Sequence, residues 1–387
     1  MTIGINGYEA VVSRFGYDQK SGLPRRVGSG AYCFELLLSL NKIDKVNNYI
    51  IYLPQSPTSD LPKERDNWHY KMVRPKKMWT LFGLSLEFLL GKSKPDVFFS
   101  PTHYLPIFSP RKSAISVLDV SYIRYPEFFK KSDLNQLTNW TRFSIRKARK
   151  VFTISQGSKD DIIKEYGIPG YKVAVTYPGI KKVSSIKYKV LSMGELKKKY
   201  GVGGEYILFV GTLQPRKNIA RLIEAFSRVS RSSLILNTLS LIIIGKKGWL
   251  YEEILEAPKK FNVEDRVKFL DFVPDEDLPS FYKNALCFIL PSLYEGFRLP
   301  VLEAMKYGCP VITSNISSLP EAGGDAALYV DPLSVNDITK NLELIINDQE
   351  LRKKLIEKGY EQVKKFSWEK TARETLRALE GLMIKDK

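Results

Sequence analysis

The chain has 387 residues, of which 44% are apolar and 26% are charged, and this length and composition predict a soluble globular protein with two domains. Its formal net charge of +18 favours an anionic partner such as phosphates, nucleic acid or an acidic membrane face, although a generally lysine-rich surface would explain the charge equally well. The two histidines are too few for a histidine-rich metal site, and the three cysteines are expected to be buried reduced thiols.

The N-terminus predicts a strand from Ile3 to Asn6 and not a signal peptide. No apolar run reaches the roughly 18 residues that are needed to cross a bilayer. A cytoplasmic protein is therefore expected, and peripheral attachment to the inner face of the plasma membrane is an open alternative.

A glycine loop follows the first strand. It contains Gly28 and Gly30 and leads into a predicted helix with Phe34, Leu37 and Leu38 on one face. A strand, a glycine loop and a helix in this order let the backbone approach an anion such as a phosphate. The pattern alone is a weak signal, because many tight turns share it.

Residues Trp79 to Leu90 form a second predicted helix, which is very apolar and follows a basic cluster ending in Lys76 and Lys77. One interpretation is a helix buried in the core of the first domain. The other is an interfacial helix, because aromatic residues beside cations suit an anionic bilayer surface. The sequence leaves both interpretations open.

Two further predicted strands, Asp96 to Ser100 and Ala114 to Asp119, have polar residues at their carboxyl ends. Ligands of open α/β sheets bind outside the carboxyl ends of the strands. His103 follows the first of these strands, where it is either a substrate contact or an ordinary loop histidine.

The first domain is expected to end at a hinge formed by Pro178 to Ile180. A continuous apolar run beginning at Tyr206 then predicts a buried parallel strand, and a helix is predicted from Ile219 to Val229. Arg216 and Lys217 lie in the loop between them, where they are either solvated loop charges or ligands for an anion beyond the end of the strand.

A strand, loop and helix near residue 300 combine two carboxylates with a helix start. The apolar run Cys287 to Leu290 predicts a buried strand, and Pro300 opens a helix that Gly308 closes. Glu295 and Glu303 bracket the loop and the first helical turn, where backbone N–H groups can bind an anion. Taken alone, the two glutamates would be ordinary surface residues.

The segment EGFRLPVLEAMKYGCPVITSNISSLPEAGGDAALYVDP, which contains both glutamates, resembles the donor-site signature of retaining glycosyltransferase family 4. The resemblance implies the GT-B fold of the α/β class, with two Rossmann-like domains whose parallel sheets face an interdomain cleft. Residues 1–180 would form the acceptor-side domain and residues 181–366 the nucleotide-sugar donor domain. A crossover helix in residues 367–387 would pack back on the first domain.

A second segment, GTLQPRKNIARLIEAF, resembles the pyrophosphate-binding loop of the same family. By this resemblance Glu295 binds the sugar hydroxyls and Glu303 binds the ribose. The residues expected to take part in catalysis are Glu295, Arg216, Lys217 and Asp119. The residues expected to bind the donor are Gly28, Gly30, Gly211, Thr212, Gly245, Val273, Gly296, Phe297, Arg298, Leu299 and Glu303.

The sequence departs from the family pattern at three positions. Leu118 stands where the family usually has a histidine that reaches the donor sugar near its C6 hydroxyl. Either the donor is a 6-deoxy sugar or a pentose, or His103 supplies the missing group. Thr212 replaces a customary arginine. Arg298 replaces a customary glycine, and its side chain would either add compensating charge or point to solvent.

The resemblance implies a retaining glycosyltransferase that moves a hexose from a nucleoside-diphosphate sugar to a glycan or a lipid-linked acceptor. We assign no D-x-D metal site, so fixed cations and a helix start are expected to neutralise the leaving diphosphate without a metal or other cofactor. GDP-mannose is the favoured donor because the PRKN and SNISSLPE segments look most like those of mannosyltransferases, although Leu118 counts against it. UDP- and dTDP-sugars are the alternatives.

Other functions are open from the sequence. The same fold could serve a sugar-nucleotide epimerase or a soluble-glycan synthase, although the basic first domain and the lack of extra domains count against both. A basic protein without catalysis that binds nucleic acid or a membrane surface would also explain the charge. No recognition helix, RNA-binding aromatic motif or finger is evident, so a nucleic-acid partner is not expected, whereas an anionic membrane surface stays a candidate.

Overall fold

The computed structural model describes residues 1–13, 16–19, 21–91, 94–129, 131–180, 190–230 and 238–384. It divides into two compact units, of which unit 1 comprises Met1–Gly179 with Ser367–Lys387 and unit 2 comprises Ile180–Phe366. Across the described ranges, no helix is both long enough and apolar enough to cross a membrane.

Unit 1 is built on a parallel sheet. The strands found in its described residues are β1 (Thr2–Asn6), β2 (Asn48–Leu53), β3 (Trp68–Met72), β4 (Val97–Ser100), β5 (Ser113–Ser116), β6 (Lys150–Thr153) and β7 (Val173–Val175). They pair in parallel in the order β3-β2-β1-β4-β5-β6-β7. The strands β4 and β5, which lie inside the sheet, are buried throughout because the neighbouring helices cover a parallel sheet.

The helices of unit 1 connect these strands. They are α1 (Tyr8–Val11), α2 (Ser29–Ile43), a π-helical turn (Trp79–Gly83) that continues into α3 (Leu84–Leu90), α4 (Ser121–Arg124), α5 (Lys131–Lys147) and α6 (Gln156–Tyr166). The helix at residues 79–90 and the helix after the glycine loop were predicted from the sequence, and both are confirmed.

The buried face of α2 differs from the expected one. Leu36, Leu37 and Leu40 are buried in the core, whereas Leu38 is half-buried. At about 100° per residue, Leu36 and Leu40 lie on one side of Leu37 and face the core with it, whereas Leu38 lies on its other side, at the edge of the buried face. The expectation that they pack on one side was therefore wrong.

Two strands of unit 1 also differ from the sequence-based expectation. The strand β3 was not predicted, because its sequence WHYKM is largely polar, as an edge strand can be. The strand expected over Ala114 to Asp119 ends at Ser116, and Asp119 therefore lies in the loop that follows.

Unit 2 contains a second parallel sheet. Its described strands are β8 (Tyr206–Val210), β9 (Ser240–Ile244), β10 (Val267–Leu270), β11 (Cys287–Leu290), β12 (Val311–Ser314) and β13 (Ala327–Val330), in the order β10-β9-β8-β11-β12-β13. Its helices are α7 (Met193–Tyr200), α8 (Ile219–Val229), α9 (Glu252–Lys260), α10 (Leu278–Asn284), α11 (Leu299–Lys306), α12 (Leu319–Gly323), α13 (Val335–Asn347) and α14 (Gln349–Val363).

The elements around residue 300 follow the predictions closely. The strand β11 and the helix α8 have the predicted bounds, and Pro300 lies in the first turn of α11. Gly308 follows that helix with φ at 70°, which is the left-handed conformation of a glycine cap. These strand ends and helix starts position the candidate site.

The C-terminal helix α15 (Trp368–Ile384) belongs to unit 1. Trp368, Ala372 and Leu379 are buried in the same core cluster as the leucines of α2. Gly179 permits this packing, because a Cβ atom there would lie 1.9 Å from the backbone nitrogen of Trp368. Of the expected crossover segment, residues 385–387 lie outside the described residues.

Candidate active site

The loops after β8, β9 and β11 meet at one edge of the sheet in unit 2. Backbone hydrogen bonds tie them together: the Gly211 N–H donates to the Ile244 oxygen at 2.9 Å, and the Leu293 N–H donates to the Arg216 oxygen at 2.8 Å. This is the edge at which open α/β sheets bind ligands. The bonded loops therefore form a fixed platform for the predicted site residues.

A 3₁₀ turn over Pro215–Lys217 sets the direction of the two basic side chains after β8. Asn218 closes the turn in the left-handed conformation, with φ at 61°, which asparagine adopts more readily than most residues. Its side-chain amide donates to the carbonyl oxygens of Pro291 at 3.0 Å and Pro332 at 2.6 Å. The sequence analysis did not select Asn218, although an asparagine before a helix is a recognisable turn signal.

Glu295 lies at the centre of an ion-pair cluster. Its carboxylate is 3% exposed and pairs with Lys217 Nζ, with Arg216 Nη1 at 2.7 Å and with Arg298 Nε at 2.7 Å. We call these four residues the cation cluster. The structure thus brings together three of the four predicted catalytic residues and one predicted donor-binding residue.

Two serines that the sequence analysis did not select hold the backbone of Glu295. The hydroxyls of Ser317 and Ser318 donate to the Glu295 carbonyl oxygen at 2.5 and 2.9 Å. The Glu295 N–H in turn donates to Ser317 Oγ at 3.2 Å. These bonds fix the backbone of the loop, whereas the ion pairs hold the side chain, and the serines come from the SNISSLPE segment that the resemblance had marked.

The cation cluster carries an excess of positive charge. Three cations surround one carboxylate, which leaves two positive charges when Glu295 is ionised. Lys217 is 1% exposed, and an anion that reaches it would be attracted strongly because little water screens the pair. A diphosphate diester has two negative charges, so it matches this excess.

The side chain of Arg298 turns toward Glu295. The residue is the N-cap of α11, and its guanidinium is mostly covered. This contact favours the interpretation in which Arg298 adds charge to the site over the one in which it points to solvent. The guanidinium of Arg298 thus places a positive charge beside Glu295, whereas the side chain of Thr212 is uncharged.

Gly211 and Gly245 face each other at the ends of β8 and β9. A Cβ atom at Gly245 would lie 2.0 Å from the Gly211 carbonyl oxygen and 3.2 Å from the Thr212 nitrogen. A Cβ atom at Gly211 would meet the ring of Phe209 at 3.4 Å, which is an ordinary contact. The close approach of the two loops therefore requires glycine at 245 but not at 211.

The other predicted donor residues of unit 2 lie near α11 and after β10. Glu303, in α11, accepts a hydrogen bond from the Tyr282 hydroxyl at 3.1 Å, so its partner differs from those of Glu295. Val273 is buried in the loop after β10. Three further predicted residues lie in the loop before α11 or open that helix: Gly296, Phe297 and Leu299.

Unit 1 contains a cavity of about 330 Å³ beside the glycine loop. Gly28, Gly30 and His103 line it, and so does Glu9, which the sequence analysis did not select. The Ser29 hydroxyl donates to the Glu9 carboxylate at 3.0 Å. Because carboxylates, hydroxyls and imidazoles all bind sugar hydroxyls, this cavity is a second candidate for substrate contact.

His103 lies against the backbone at Leu118. The Leu118 N–H donates to His103 Nε2 at 3.4 Å, which assigns the ring proton to Nδ1, 3.5 Å from the Thr141 hydroxyl. Burial lowers the pKa of His103 to about 4, and the nearby Asp119 carboxylate opposes that shift. The imidazole is therefore neutral near pH 7 and serves as a hydrogen-bonding group beside Leu118.

Asp119 is the predicted catalytic residue that lies in unit 1. Its Oδ1 accepts hydrogen bonds from the Ser121 N–H at 2.9 Å and from the Ser121 hydroxyl at 2.6 Å. These bonds hold the carboxylate at the start of α4 and fix the loop that carries it. Asp119 is thus a positioned carboxylate beside His103.

We expect His103 to make the protein less stable in acid. Between its usual pKa near 6.5 and its lowered value of about 4, the unfolded chain binds a proton that the folded chain does not. The stability from neutral His103 is present above pH 6.5 and is lost as the pH falls toward 4. Thermal unfolding followed across this range should show a smaller decline for His103→Gln than for wild type.

His69 provides the matched control for that experiment, because it is the other histidine of the chain and is exposed on β3. His69→Gln should leave the acid dependence of the wild type unchanged. An identical decline in wild type and His103→Gln would show that His103 does not titrate with folding.

Comparisons with known proteins agree with the architecture. Residues 192–362 match the family described as glycosyl transferases group 1. Over 313 residues the chain is 31% identical to the O-antigen chain mannosyltransferase B of Escherichia coli, and the aligned region covers 80% of this chain and 78% of the relative.

A second relative is the N-acetylgalactosamine-N,N'-diacetylbacillosaminyl-diphospho-undecaprenol 4-alpha-N-acetylgalactosaminyltransferase of Campylobacter jejuni, which is 28% identical over 315 residues, or 80% of each chain. The solved structure of HepE from Anabaena in complex with UDP-glucose matches with a TM-score of 0.69 at 16% identity, over 98% of this chain and 100% of that chain. Together with the two parallel sheets, such likenesses confirm the predicted α/β class and two Rossmann-like domains of the GT-B type.

Proposed function

The chain belongs to the group 1 glycosyl transferases of the family 4 type, and we propose that it moves a hexose from a nucleoside-diphosphate sugar to a glycan or lipid-linked acceptor without a metal ion. The use of a nucleoside-diphosphate sugar without a metal ion is supported by the cation cluster, in which three basic side chains surround the buried Glu295. We assign donor binding mainly to unit 2 and acceptor binding mainly to unit 1.

The proposed chemistry rests on charge that is already in place. Transfer breaks the bond between the sugar and a phosphate oxygen, and negative charge builds on the leaving diphosphate. Arg216 and Lys217 would bind that diphosphate, together with the backbone amides at the start of α11. Because these groups are held by the loop contacts around Asn218, they would stabilise the charge with little reorganisation.

We propose that the reaction retains the anomeric configuration and that Glu295 positions the sugar. A double displacement of the glycosidase kind needs two carboxylates that converge on one bond, with separate acid and nucleophile roles. Glu303 bonds to Tyr282, which supports a separate task for it at the ribose. Glu295 is then a binding and electrostatic residue, and the leaving-group oxygen would help to deprotonate the acceptor.

A mannose-like hexose is the proposed donor sugar. The mannosyltransferase of Escherichia coli supports this choice by similarity, and so does the position of His103. Its imidazole lies at the backbone of Leu118 and would supply the polar group that leucine lacks by exchanging one of its two long hydrogen bonds, to the Leu118 N–H or to the Thr141 hydroxyl, for one to the sugar. A sugar with a C6 hydroxyl is therefore favoured over a 6-deoxy sugar or a pentose, and GDP-mannose is the first donor to test.

The acceptor is proposed to be a glycan carried on a lipid. The support is the similarity to a relative whose name specifies a diphospho-undecaprenol acceptor and to another that is named an O-antigen chain mannosyltransferase. Such an acceptor would bring the enzyme to a membrane surface.

We expect calorimetric titration to identify one nucleotide sugar that binds equally well with and without EDTA. The panel is GDP-mannose, GDP-fucose, UDP-glucose, UDP-xylose and dTDP-rhamnose. Lys217→Ala should weaken binding on the order of 10- to 100-fold, since it removes a buried cation. Lys353→Ala is the control, because it removes a lysine of an exposed ion pair in the same unit.

Each part of the proposal can fail separately in this titration. If neither a nucleotide sugar nor a free nucleoside diphosphate binds, the assignment of the donor site is wrong. Loss of binding in EDTA would contradict metal independence. A preference for GDP-fucose, UDP-xylose or dTDP-rhamnose would contradict the role given to His103.

A further inference from the structure

Tyr282 is a buried tyrosine whose hydroxyl contacts one of the predicted donor-binding residues. It lies in α10, in whose first turn Pro279 stands, and it is 1% exposed. A buried phenol usually has a hydrogen-bond partner, because an unpaired hydroxyl would lose its bonds to water without replacing them. Its partner is the Oε2 atom of Glu303 in α11, at 3.1 Å. The sequence analysis did not select Tyr282, since a tyrosine in a short buried helix resembles an ordinary core residue.

Aromatic neighbours hold the ring of Tyr282. Phe288 of β11 packs edge-on against it, with ring centroids 5.7 Å apart, and Tyr307 at the C-cap of α11 stacks on it at 6.1 Å, with the rings 12° from parallel. The helix α10 is anchored next to this ring, because the Tyr206 hydroxyl donates to the Phe281 carbonyl oxygen at 2.7 Å. A ring packed in this way has few orientations, so the position of its hydroxyl is fixed as well.

The hydrogen bond between Tyr282 and Glu303 has a defined direction. Burial raises the pKa of the Tyr282 phenol, and the negative charge of Glu303 raises it further. The hydroxyl therefore keeps its proton at pH values at which carboxylates are ionised, so Tyr282 donates and Glu303 accepts. A hydrogen bond to an ionised group is stronger than one between neutral groups, and this bond therefore restricts the rotation of the carboxylate.

A ribose ring presents two neighbouring hydroxyls, and an ionised carboxylate can accept one hydrogen bond from each. A carboxylate has about four acceptor positions, so the bond from Tyr282 occupies one of them and leaves capacity for a pair of hydroxyls. A glutamate side chain has several rotatable bonds and loses entropy when a ligand orders it. A carboxylate that is already held in place loses less entropy and binds the hydroxyls more tightly.

We propose that Tyr282 is a positioning residue that orients the Glu303 carboxylate toward the 2′ and 3′ hydroxyls of the donor ribose. The inference rests on the proposed function, which assigns Glu303 to the ribose, and it adds the origin of the selectivity for a ribonucleoside diphosphate over its deoxy forms. The bond at 3.1 Å between two helices of unit 2 carries the inference. Glu295 has a separate task, because its carboxylate pairs with the basic residues of the cation cluster.

The test compares two ligands that differ only in the ribose. GDP and 2′,3′-dideoxy-GDP are titrated calorimetrically into the full chain, with UDP and 2′,3′-dideoxy-UDP in their place if UDP binds more tightly. Wild type should bind the ribonucleotide about 10- to 100-fold more tightly, because the dideoxy form lacks both hydroxyls that bond to a charged group.

Tyr282→Phe keeps the packed ring and removes the hydroxyl. It should weaken the binding of the ribonucleotide about 3- to 10-fold and change the binding of the dideoxy form by less than about twofold, because only the ribose contact depends on a held carboxylate. A purely structural role of Tyr282 would weaken both ligands alike.

Two further variants separate positioning from packing. Tyr206→Phe is the matched control, since it removes another buried hydroxyl of unit 2, whose partner is the Phe281 oxygen of α10. It should lower the unfolding temperature and leave the preference for ribose unchanged. Glu303→Ala should lose most of that preference, and adding Tyr282→Phe to it should weaken the ribonucleotide no further, because the hydroxyl acts through the carboxylate.

Four results would overturn the inference. In the first, wild type binds the two forms equally, and in the second, Tyr282→Phe keeps the full preference for ribose. In the third, Tyr206→Phe loses that preference as strongly as Tyr282→Phe does, which would assign it to the packing of α10. In the fourth, the losses of Tyr282→Phe and Glu303→Ala add in the double variant, which would show that the two residues act independently.

The proposed donor site stands in all four of these results, because the nucleoside diphosphate still binds to the wild type. If the wild type bound neither GDP nor UDP, the donor site itself would be wrong and the inference about Tyr282 would be wrong with it. The failure of the inference and the failure of the proposed function are therefore distinguishable.

Discussion

Replacing Glu295 by glutamine is expected to lower kcat by about 10²- to 10³-fold, which is the range seen when a preorganised electrostatic group is removed from an active site. The same variant should bind free nucleoside diphosphate as tightly as wild type or more tightly. The reason is that Glu295 and the diphosphate would share Arg216, Lys217 and Arg298, so neutralising the carboxylate frees these cations for the ligand. Initial rates and calorimetric titration of the nucleoside diphosphate measure the two effects separately.

The substitution also affects folding, and this must be measured beside the kinetics. Removing one partner of a buried ion pair typically costs about 3–5 kcal/mol of stability, and the amide oxygen of glutamine keeps one acceptor, so the lower end is expected. Thermal unfolding should show the loss, and added nucleoside diphosphate should restore part of it because it binds the folded state.

Glu350→Gln is the matched control, since it makes the same chemical change in an exposed ion pair with Lys353. It should leave kcat, ligand binding and unfolding unchanged. If Glu295→Gln weakened the binding of the nucleoside diphosphate as strongly as Lys217→Ala does, Glu295 would not compete with the ligand. Its role in the cation cluster would then be structural.

The strands and helices at the carboxyl edge of unit 2 could be predicted from the sequence because their signals are local. The apolar run at Tyr206–Val210 is long enough for a buried parallel strand, and the helix α8 follows the turn-forming Asn218. The strand β3 could not be predicted, because its residues are largely polar and form a strand by pairing with β2 at the edge of the sheet. The composition of the segment itself does not show that β2 lies beside it.

The candidate site was predictable as a list of residues but not as an arrangement. The resemblance selected Glu295 and Lys217, yet their pairing depends on Asn218, which bonds to carbonyl oxygens 73 and 114 residues further along the chain. The direction of Arg298 was open for the same reason, since an N-cap side chain can turn either way until the loop around it is placed. The contacts of Asn218 and Arg298 depend on the order of strands in the sheet, because that order determines which loops lie side by side.

Gly245→Ala is expected to abolish donor binding and to destabilise unit 2 by about 3 kcal/mol, near the upper end of common point substitutions. The new methyl group would lie 2.0 Å from the Gly211 carbonyl oxygen and 2.6 Å from its carbonyl carbon. Both are backbone atoms, so no side chain can rotate away, and the ends of β8 and β9 must separate. That separation would break the Gly211 N–H bond to Ile244 and shift the turn that carries Lys217.

Gly211→Ala tests whether the effect comes from this close approach or from glycine flexibility in general. Its methyl group would meet Phe209 at 3.4 Å, a distance that needs little adjustment, so thermal unfolding and donor titration should resemble wild type. Equal losses in the two variants would mean that both loops need flexible glycines and that the packing at 245 is not decisive. If only Gly245→Ala loses stability and donor binding, the close contact between the ends of β8 and β9 is what holds the donor site together. The cation cluster would then keep its arrangement only while that contact is intact.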